Sequence, residues 1–481
     1  MATLIAFYLF FVAACLLLYV LNQVLSGKEE LVSLHNFFIA GLIIFQVSGA
    51  GLSIISGDTG HFHPAEIDST SVKYAMILSV FIVIYLCTHK MSTAFIDRRF
   101  ERRSGMKTSY SPIGIMVIAG SIIGFGIVSQ YLLVYIPVLG PGFYKIAYGM
   151  YAIGAGLAAW VAAPRLWNPF FLFLAIFMIL VSLVLTFAQN FGRRDLLGVV
   201  LAVLWALYFS HWRSLGFRKV FMRMSVVSFA GLILLALVTS ARSGDFRDQT
   251  AMENISTLKS ASASDGLADV FYGQRAGLNS MWLIETRPDS HPYDTLHSIR
   301  LFVTLPIPRA TWPGKPDALG ITMPTKEIKV RGKPPEWNIG PGLVGHIAND
   351  NPYLAIWMYP IILGFTIRFF DRAVVWFSTN PFVVLPMGAA IGQFIAMPRG
   401  ELGSFYFLAI LNIVSSFVIM KSISWVLTQI GWVKAEPGGW DESWEIENAY
   451  QDGDGQWVYD ETYGDGYDDE SSVQSRAPME S

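Results

Sequence analysis

Hydrophobic positions run in long blocks along most of this chain of 481 residues, and polar positions separate the blocks. A helix that crosses a bilayer needs about 20 mostly apolar residues. Blocks of this kind predict about eleven spans, near residues 4–25, 35–56, 72–89, 112–137, 143–163, 169–188, 196–211, 220–240, 352–370, 374–397 and 402–428. The pattern therefore predicts an all-α polytopic membrane protein.

Composition agrees with this reading. Hydrophobic residues make up 53% of the chain and charged residues only 15%, whereas a soluble domain carries about 25% charged residues. Cys15 and Cys87 both fall inside apolar blocks, so neither a disulfide framework nor a thiolate metal site is expected. The net charge of -2 gives no indication of a nucleic-acid partner.

Four segments differ in character. Residues 1–240 predict an N-terminal bundle of about eight helices, and residues 352–432 predict about three more. Between them lies a polar segment, residues 241–351, which we call the island. Residues 433–481 are acidic and poor in aliphatic side chains, and such a segment buries too little apolar surface to offset its ordering entropy. We therefore expect a disordered tail.

Basic residues predict the orientation of the chain, because they accumulate in cytoplasmic loops. The connection from Lys90 to Lys107 is rich in arginine, whereas the one from Gly57 to Thr70 has no Lys or Arg. Counting spans onward from these two loops puts the tail in the cytoplasm and the island on the extracytoplasmic side. Two arginine-bearing turns, 191–195 and 397–401, also fall on the outer side.

These turns carry Arg193, Arg194 and Arg399. Boundary arginines often serve only as interfacial anchors that reach into water. A guanidinium group also offers a planar fork of donors that matches phosphate oxygens and keeps its charge. Their predicted position, on the face that the charge bias disfavours, favours a functional reading.

The island contains a proline-rich stretch, Leu305-Pro-Ile-Pro-Arg-Ala-Thr-Trp-Pro-Gly-Lys-Pro316. Its prolines stiffen the backbone around Arg309 and Lys315, and Trp312 adds an apolar plane between these two cations. Such a set suits a ligand with phosphate at one end and sugar rings at the other. Prolines are equally typical of plain loop architecture. Arg300 is a further cation of the island.

His346 lies just before the ninth predicted span and could act as a general base. The alternative is an interfacial histidine that satisfies the start of the helix, and we expect Asn349 and Asp350 to cap that helix. His61 and His63 with nearby acids give only a weak metal signal, so no metal site is predicted. Walker-type phosphate loops, G-x-S-x-G elbows and H-E-x-x-H motifs do not occur.

The stretch Ile307–Pro316 resembles the Pro-Arg-x-x-Trp-Pro-x-Lys-Pro signature of bacterial oligosaccharide repeat-unit polymerases, which make O-antigen and exopolysaccharide. Many spans, one large extracytoplasmic loop and flanking arginine turns are similar too, and the related O-antigen ligases share them. The resemblance implies an architecture like that of the GT-C glycosyltransferases. It also implies polymerisation of undecaprenyl-diphosphate-linked repeat units at the outer face of the inner membrane, without a cofactor.

The implied partners are the carrier-linked glycan donor and acceptor, the bilayer, a chain-length regulator and a flippase, with no nucleic acid. The implied role of Arg194 and Arg399 is to bind the diphosphate, and Arg193 and Arg300 are further candidates for binding the substrate. Arg309, Trp312 and Lys315 match the loop signature. His346 loosely resembles the ligases' loop histidine, and the base is sought among this histidine and three carboxylates, Glu285, Asp294 and Glu336.

Two other functions stay open. A ligase-like glycosyltransferase would pass the glycan to a different acceptor. A polysaccharide flippase or other transporter would place polar sites near the middle of the membrane. The predicted spans carry few ionisable residues, which argues against transport.

Overall fold

The computed structural model describes residues 1–57, 62–101, 109–188, 193–241, 262, 275–309, 311–327, 338–436, 449–451 and 457–459. Over these residues the chain is predominantly helical, as predicted. The described strands form two short antiparallel pairs, β1 (Ser109–Tyr110) with β2 (Ala435–Glu436) and β3 (Ala449–Gln451) with β4 (Trp457–Tyr459). The tail predicted to be disordered lies largely outside the described residues.

Helices fill the N-terminal half. They are α1 (Ala2–Leu25), α2 (Leu34–Leu42), α3 (Gly49–Ser56), α4 (Ile67–Glu101), α5 (Pro112–Tyr131), α6 (Gly140–Ala162), α7 (Pro169–Ala188), α8 (Arg193–Ser210) and α9 (Phe217–Ala241). A π-helical turn, Ile43–Ser48, joins α2 to α3 into one rod. It is the kind of irregularity that often marks a functional position within a helix.

The island and the C-terminal part continue the helical pattern. Four short helices, α10 (Ala276–Thr286), α11 (His297–Thr304), α12 (Leu319–Glu327) and α13 (Leu343–Asn349), belong to the island. Three long ones follow, α14 (Pro352–Trp376), α15 (Pro381–Ala396) and α16 (Leu402–Gln429).

Eight helical stretches in the described part are long and apolar enough to cross a membrane, which supports a multi-pass membrane protein. They are Ala2–Leu25, Leu34–Ser56, Ile67–Phe100, Pro112–Tyr135, Gly140–Arg165, Pro169–Phe187, Pro352–Trp376 and Leu402–Gln429. Asp195–Ser210 and Pro381–Ala396 are apolar but shorter. The remaining predicted span, 220–240, lies in α9, which is not among the eight.

The predicted span 374–397 is wrong at its start. Residues 374–376 complete α14, and α15 begins at Pro381. The Asn380 side chain accepts a hydrogen bond from the backbone N–H of Phe382 at 3.0 Å, and proline at the first helical position lacks the N–H that would otherwise need a partner. The polar run Ser378-Thr379-Asn380 and this cap therefore set the boundary.

Helix α6 lies at the centre of the bundle, and its most apolar window is 94% buried. Its glycines and alanines let neighbouring helices approach closely. A Cβ added at Gly154 would lie 2.3 Å from the Ile123 side chain in α5, so this position requires glycine. In helix α7, by contrast, only 17% of the most apolar stretch is buried. Its exposed apolar side chains form the kind of surface that faces lipid.

The two ends of the bundle differ. At the island end α4 and α14 begin, and Glu285 in α10 accepts backbone N–H groups of Ala65 at 2.8 Å and Glu66 at 2.6 Å. At the opposite end, which we call the far end, Arg372 Nε of α14 donates to Asp97 Oδ1 of α4 at 2.5 Å. Helices α4 and α14 therefore run side by side in the same direction.

Both arginine turns lie at the island end. Helices α8 and α15 are antiparallel, and Trp205 Nε1 donates to the Val384 carbonyl oxygen at 3.0 Å. At a rise of about 1.5 Å per residue, the start of α8 and the end of α15 both lie roughly 15–20 Å from this contact, in the same direction. This topology brings residues 193–195 and 397–401 to one end of the molecule.

Candidate functional site

The turn that carries Arg399 is held rigidly from two sides. The Pro398 carbonyl oxygen accepts hydrogen bonds from Gln46 Nε2 at 2.8 Å and from the backbone N–H of Leu343 at 3.0 Å. Gln46 is fully buried in the π-helical turn and also accepts from the Tyr74 hydroxyl at 2.9 Å. The backbone of this turn is therefore fixed by both the bundle and the island.

The Arg399 side chain itself is exposed. Its guanidinium carbon lies 5.9 Å from the centroid of the Phe45 ring, within the range of a cation–π contact. A rigid backbone and an aromatic surface together orient the guanidinium group without enclosing it. Such a cation can meet an anionic ligand at the end of the bundle.

Gly340 packs directly against the same turn. A Cβ at this position would lie 2.4 Å from the Arg399 carbonyl oxygen, closer than real Cβ contacts come. The Gly340 carbonyl oxygen accepts a hydrogen bond from Asn279 Nδ2 at 2.8 Å, which ties it to α10. Glycine is therefore required where the island meets the arginine turn.

His346 is fully buried at the junction of three helices. Its Nε2 accepts the backbone N–H of Leu402 at 3.1 Å, so in the neutral ring Nδ1 carries the proton and donates to Ser298 Oγ at 2.9 Å. Both ring nitrogens are occupied, and the ring has no exposed surface. In this conformation His346 positions α11, α13 and α16, and it has no free nitrogen for an acceptor hydroxyl.

Glu401 follows the arginine turn and joins a further island helix to it. Its Oε2 accepts the backbone N–H of Gly320 at 3.0 Å, near the start of α12. Its Oε1 lies 3.7 Å from His346 Nε2. Glu401 therefore links the turn, α12 and the buried histidine.

The caps expected before α14 are wrong. Asn351 precedes α14, and its side chain makes no capping hydrogen bond. Asp350 instead caps α11, because its Oδ2 accepts the backbone N–H of Ser298 at 2.6 Å and also accepts the Tyr359 hydroxyl. Asn349 Nδ2 donates to Asp350 Oδ1 at 2.9 Å. These side chains stabilise the island rather than the following span.

A second histidine lies close to this junction. His297 Nδ1 is 2.7 Å from Asp294 Oδ2, and the other carboxylate oxygen accepts from Arg300. His297 is 5% exposed, and its Nε2 has no hydrogen-bond partner within the described part of the chain. An imidazole with a carboxylate on one nitrogen and an open second nitrogen is the usual arrangement of a general base.

The proline-rich stretch closes on itself. Lys315 Nζ donates to the carbonyl oxygens of Leu305 and Ile307, both at 2.8 Å, and Arg309 pairs with Asp317. Burial, assisted by the nearby Arg309, lowers the pKa of the Lys315 ammonium. Trp312 projects from this closed loop and is 41% exposed. The two cations shape the loop, and the indole ring is its large exposed apolar side chain.

The remaining predicted site residues fall elsewhere. Arg193 and Arg194 begin α8, where the structure describes their backbone. Glu285 is engaged with the segment before α4, as described above, and Glu336 lies outside the described residues, as does His61. Within the described ranges no group of three or more His, Cys, Asp or Glu side chains could hold a metal ion.

Sequence reasoning missed His297 and Gln46. The spacing Asp294-x-x-His297 in a polar segment is a signal that could have singled out the first. Gln46 is a lone amide within an apolar span, and polar groups at such positions are costly and often functional. The partners of Gln46, which are Tyr74 and Pro398, come from distant parts of the chain.

No family model, curated protein or solved structure matches this chain. A function must therefore be argued from its own residues and their geometry.

Proposed function

We propose that this protein is a membrane glycosyltransferase that polymerises undecaprenyl-diphosphate-linked oligosaccharide repeat units at the outer face of the bacterial inner membrane. The observation that carries the proposal is the rigid turn that presents an exposed Arg399 at the island end. Helix α8 begins at the same end with Arg193 and Arg194. The resemblance of the proline-rich stretch to the polymerase signature supports the glycan class.

The proposal includes eleven membrane crossings. Helices α8, α9 and α15 would cross in addition to the eight that meet the length and hydropathy requirement. With this number, successive spans alternate in direction, and the arginine-rich connection from Lys90 to Lys107 falls on the cytoplasmic side, as the bias of basic residues favours. The island and both arginine turns are then extracytoplasmic, where the lipid-linked substrate would be found.

The chemistry requires a cationic site rather than a nucleophilic side chain. The acceptor hydroxyl oxygen forms a bond to the anomeric carbon of the donor, and the bond from that carbon to the diphosphate oxygen breaks. The diphosphate leaves with the electron pair, so negative charge grows on its oxygens. Arginines fixed where this charge appears stabilise the transition state. Arg399 and Arg194 are assigned this role.

The proton of the acceptor hydroxyl needs a base. His346 and Glu285 are both engaged in hydrogen bonds that hold the fold. His297 has an open Nε2 and a carboxylate, Asp294, on its other nitrogen. We assign the base to His297, with Asp294 as the residue that orients it. Because the His297 ring is only 5% exposed, the acceptor hydroxyl reaches Nε2 only when the surrounding side chains move as the acceptor binds.

Trp312 supplies a surface for the glycan. An exposed indole ring on a loop held closed by Arg309 and Lys315 can stack against the apolar face of a sugar ring. Stacking at this position would hold the glycan over the end of the bundle while the diphosphate contacts the arginines. Arg309 and Lys315 then contribute by holding the loop in the shape that presents Trp312 to the glycan.

The proposal is tested by reconstituting the purified full chain in lipid nanodiscs with a carrier-linked repeat unit as both donor and acceptor. The expected product is a ladder of carrier-linked oligomers. A ligase would instead consume carrier-linked glycan only when a separate lipid acceptor is added. Absence of oligomers from several carrier-linked repeat units, with well-folded protein, would overturn the proposal.

A further inference from the structure

The far end of the bundle holds buried charges that the proposed transfer does not use. Arg368, Asp371 and Arg372 of α14 are only 5%, 4% and 8% exposed. Ionisable groups buried among membrane-spanning helices are costly and generally have a function.

These residues border a cavity of about 630 Å³. It lies between the α1–α2 connection, the α8–α9 connection and the end of α14. Four basic side chains and three carboxylates contribute to its lining, namely Lys28, Arg213, Arg368 and Arg372 with Glu29, Glu30 and Asp371. The rest of the lining is mostly apolar, contributed by residues such as Leu25, Leu31 and Phe217.

All three carboxylates have partners in the protein. Glu30 Oε1 pairs with Arg213 Nη2 at 2.6 Å, and Glu29 Oε1 pairs with Arg368 Nη1 at 2.5 Å. Asp371 accepts two backbone N–H groups at the start of α2, at 2.7 and 3.0 Å. Acidic charge in the cavity is therefore already compensated.

Two arginines keep donors that are not used. Arg368 Nε donates to Thr93 and its Nη1 to Glu29, while Arg372 Nε donates to Asp97. Within the described chain, the hydrogen bonds of these two side chains leave Nη2 of Arg368 and both Nη atoms of Arg372 unused. Both residues line the cavity and are more than nine-tenths buried.

We propose that this cavity binds a phosphate group, with Arg368 and Arg372 as its principal ligands. The two side chains are one helical turn apart on α14 and can therefore reach one ligand together. Guanidinium forks match phosphate oxygens in shape and charge. Lys28 adds a third cation at the exposed rim. The site lies at the opposite end from the proposed transfer site and does not depend on it.

A phosphate could arrive on an anionic lipid headgroup or on a soluble phosphate compound. Two arms of one experiment separate these sources. Purified full chain is titrated with inorganic phosphate at constant ionic strength, with chloride as the reference, and binding is read from thermal stabilisation. In parallel, retention of phosphatidylglycerol against phosphatidylcholine is measured by native mass spectrometry after delipidation.

Binding in either arm supports the site and identifies its source. Arg372→Gln should weaken that binding by about tenfold or more, because charge-assisted hydrogen bonds are lost. Lys28→Gln, at an exposed position that cannot disturb the core, should weaken it a few-fold. Arg98→Gln, an exposed cation of α4 that does not line the cavity, should leave it unchanged. No binding in either arm, or binding unaffected by both lining variants, would overturn the proposal.

Discussion

The backbone N–H of Leu402 donates to Nε2 of His346 across 3.1 Å, and this bond joins the first residue of a long C-terminal helix to the centre of the island. The bond occupies the ring nitrogen that a general base would need, so His346 supports the fold instead. The arginine turn precedes Leu402 directly, so the same bond helps to fix the position of Arg399.

Replacing His346 by alanine should therefore destabilise the protein. The Leu402 N–H and the Ser298 hydroxyl would each lose a buried partner, at a cost of about 1–3 kcal/mol each. Thermal unfolding in detergent, followed by tryptophan fluorescence, measures the loss, and Ser298→Ala should show a smaller one. Residual activity should keep the pH dependence of the unaltered protein. An unchanged stability with abolished activity would instead make His346 the base.

Gly340→Ala tests the contact between the island and the arginine turn. The new Cβ would lie 2.4 Å from the Arg399 carbonyl oxygen, so either the turn or the island must move. We expect at least a tenfold loss of polymer formation, since small displacements of catalytic groups are costly. Gly142→Ala, where nothing lies within 4 Å of the added atom, is the matched control. Equal activity in both variants would refute the contact.

His297→Gln should lower the rate of transfer by about 10²–10⁴, the usual contribution of a general base. Asp294→Asn should also lower the rate, because it removes the carboxylate that orients the ring. The decisive readout is turnover measured beside substrate binding: turnover should fall in both variants, more steeply in His297→Gln, while substrate binding stays close to normal. Normal turnover in His297→Gln would argue against the assignment.

Asp350→Ala should destabilise the island by about 2 kcal/mol, because it removes the cap of α11 and leaves the Tyr359 hydroxyl without its acceptor. Asp350→Asn keeps one acceptor oxygen and should cost less. Asp289→Ala, at an exposed position, serves as the control. Equal melting temperatures for Asp350→Ala and Asp289→Ala would contradict the role of Asp350.

The helices could be predicted from the sequence because long apolar blocks leave little choice of structure in a membrane. The boundary near Pro381 was also within reach, since the polar residues Ser378, Thr379 and Asn380 precede the proline, and asparagine followed by proline is a signal of a helix start. The roles of His346 and Asp350 could not be predicted. Their partners, Ser298 and Leu402 among them, are distant in the chain, and folding alone brings them together.

The candidate site was predictable only in part. Arg194 and Arg399 could be singled out because the basic residues of the loops predict which side of the membrane each loop lies on. Both arginines fall on the outer side, where basic residues are uncommon. Nothing local indicates that Gly340 packs against Arg399. Likewise, Arg368 and Arg372 fit the expected cytoplasmic charge bias, while their burial depends on Glu29 and Asp97 in other segments.

The central claim is that arginines at the island end stabilise the departing diphosphate. The most direct test is the initial rate of oligomer formation by reconstituted Arg194→Ala and Arg399→Ala proteins, with Arg399→Lys and the far-end variant Arg218→Ala beside them. We predict a loss of about 10²–10³ in turnover for each alanine variant, a smaller loss for the lysine variant and none for Arg218→Ala. Long polymer formed at the normal rate by both island-end alanine variants would contradict the account.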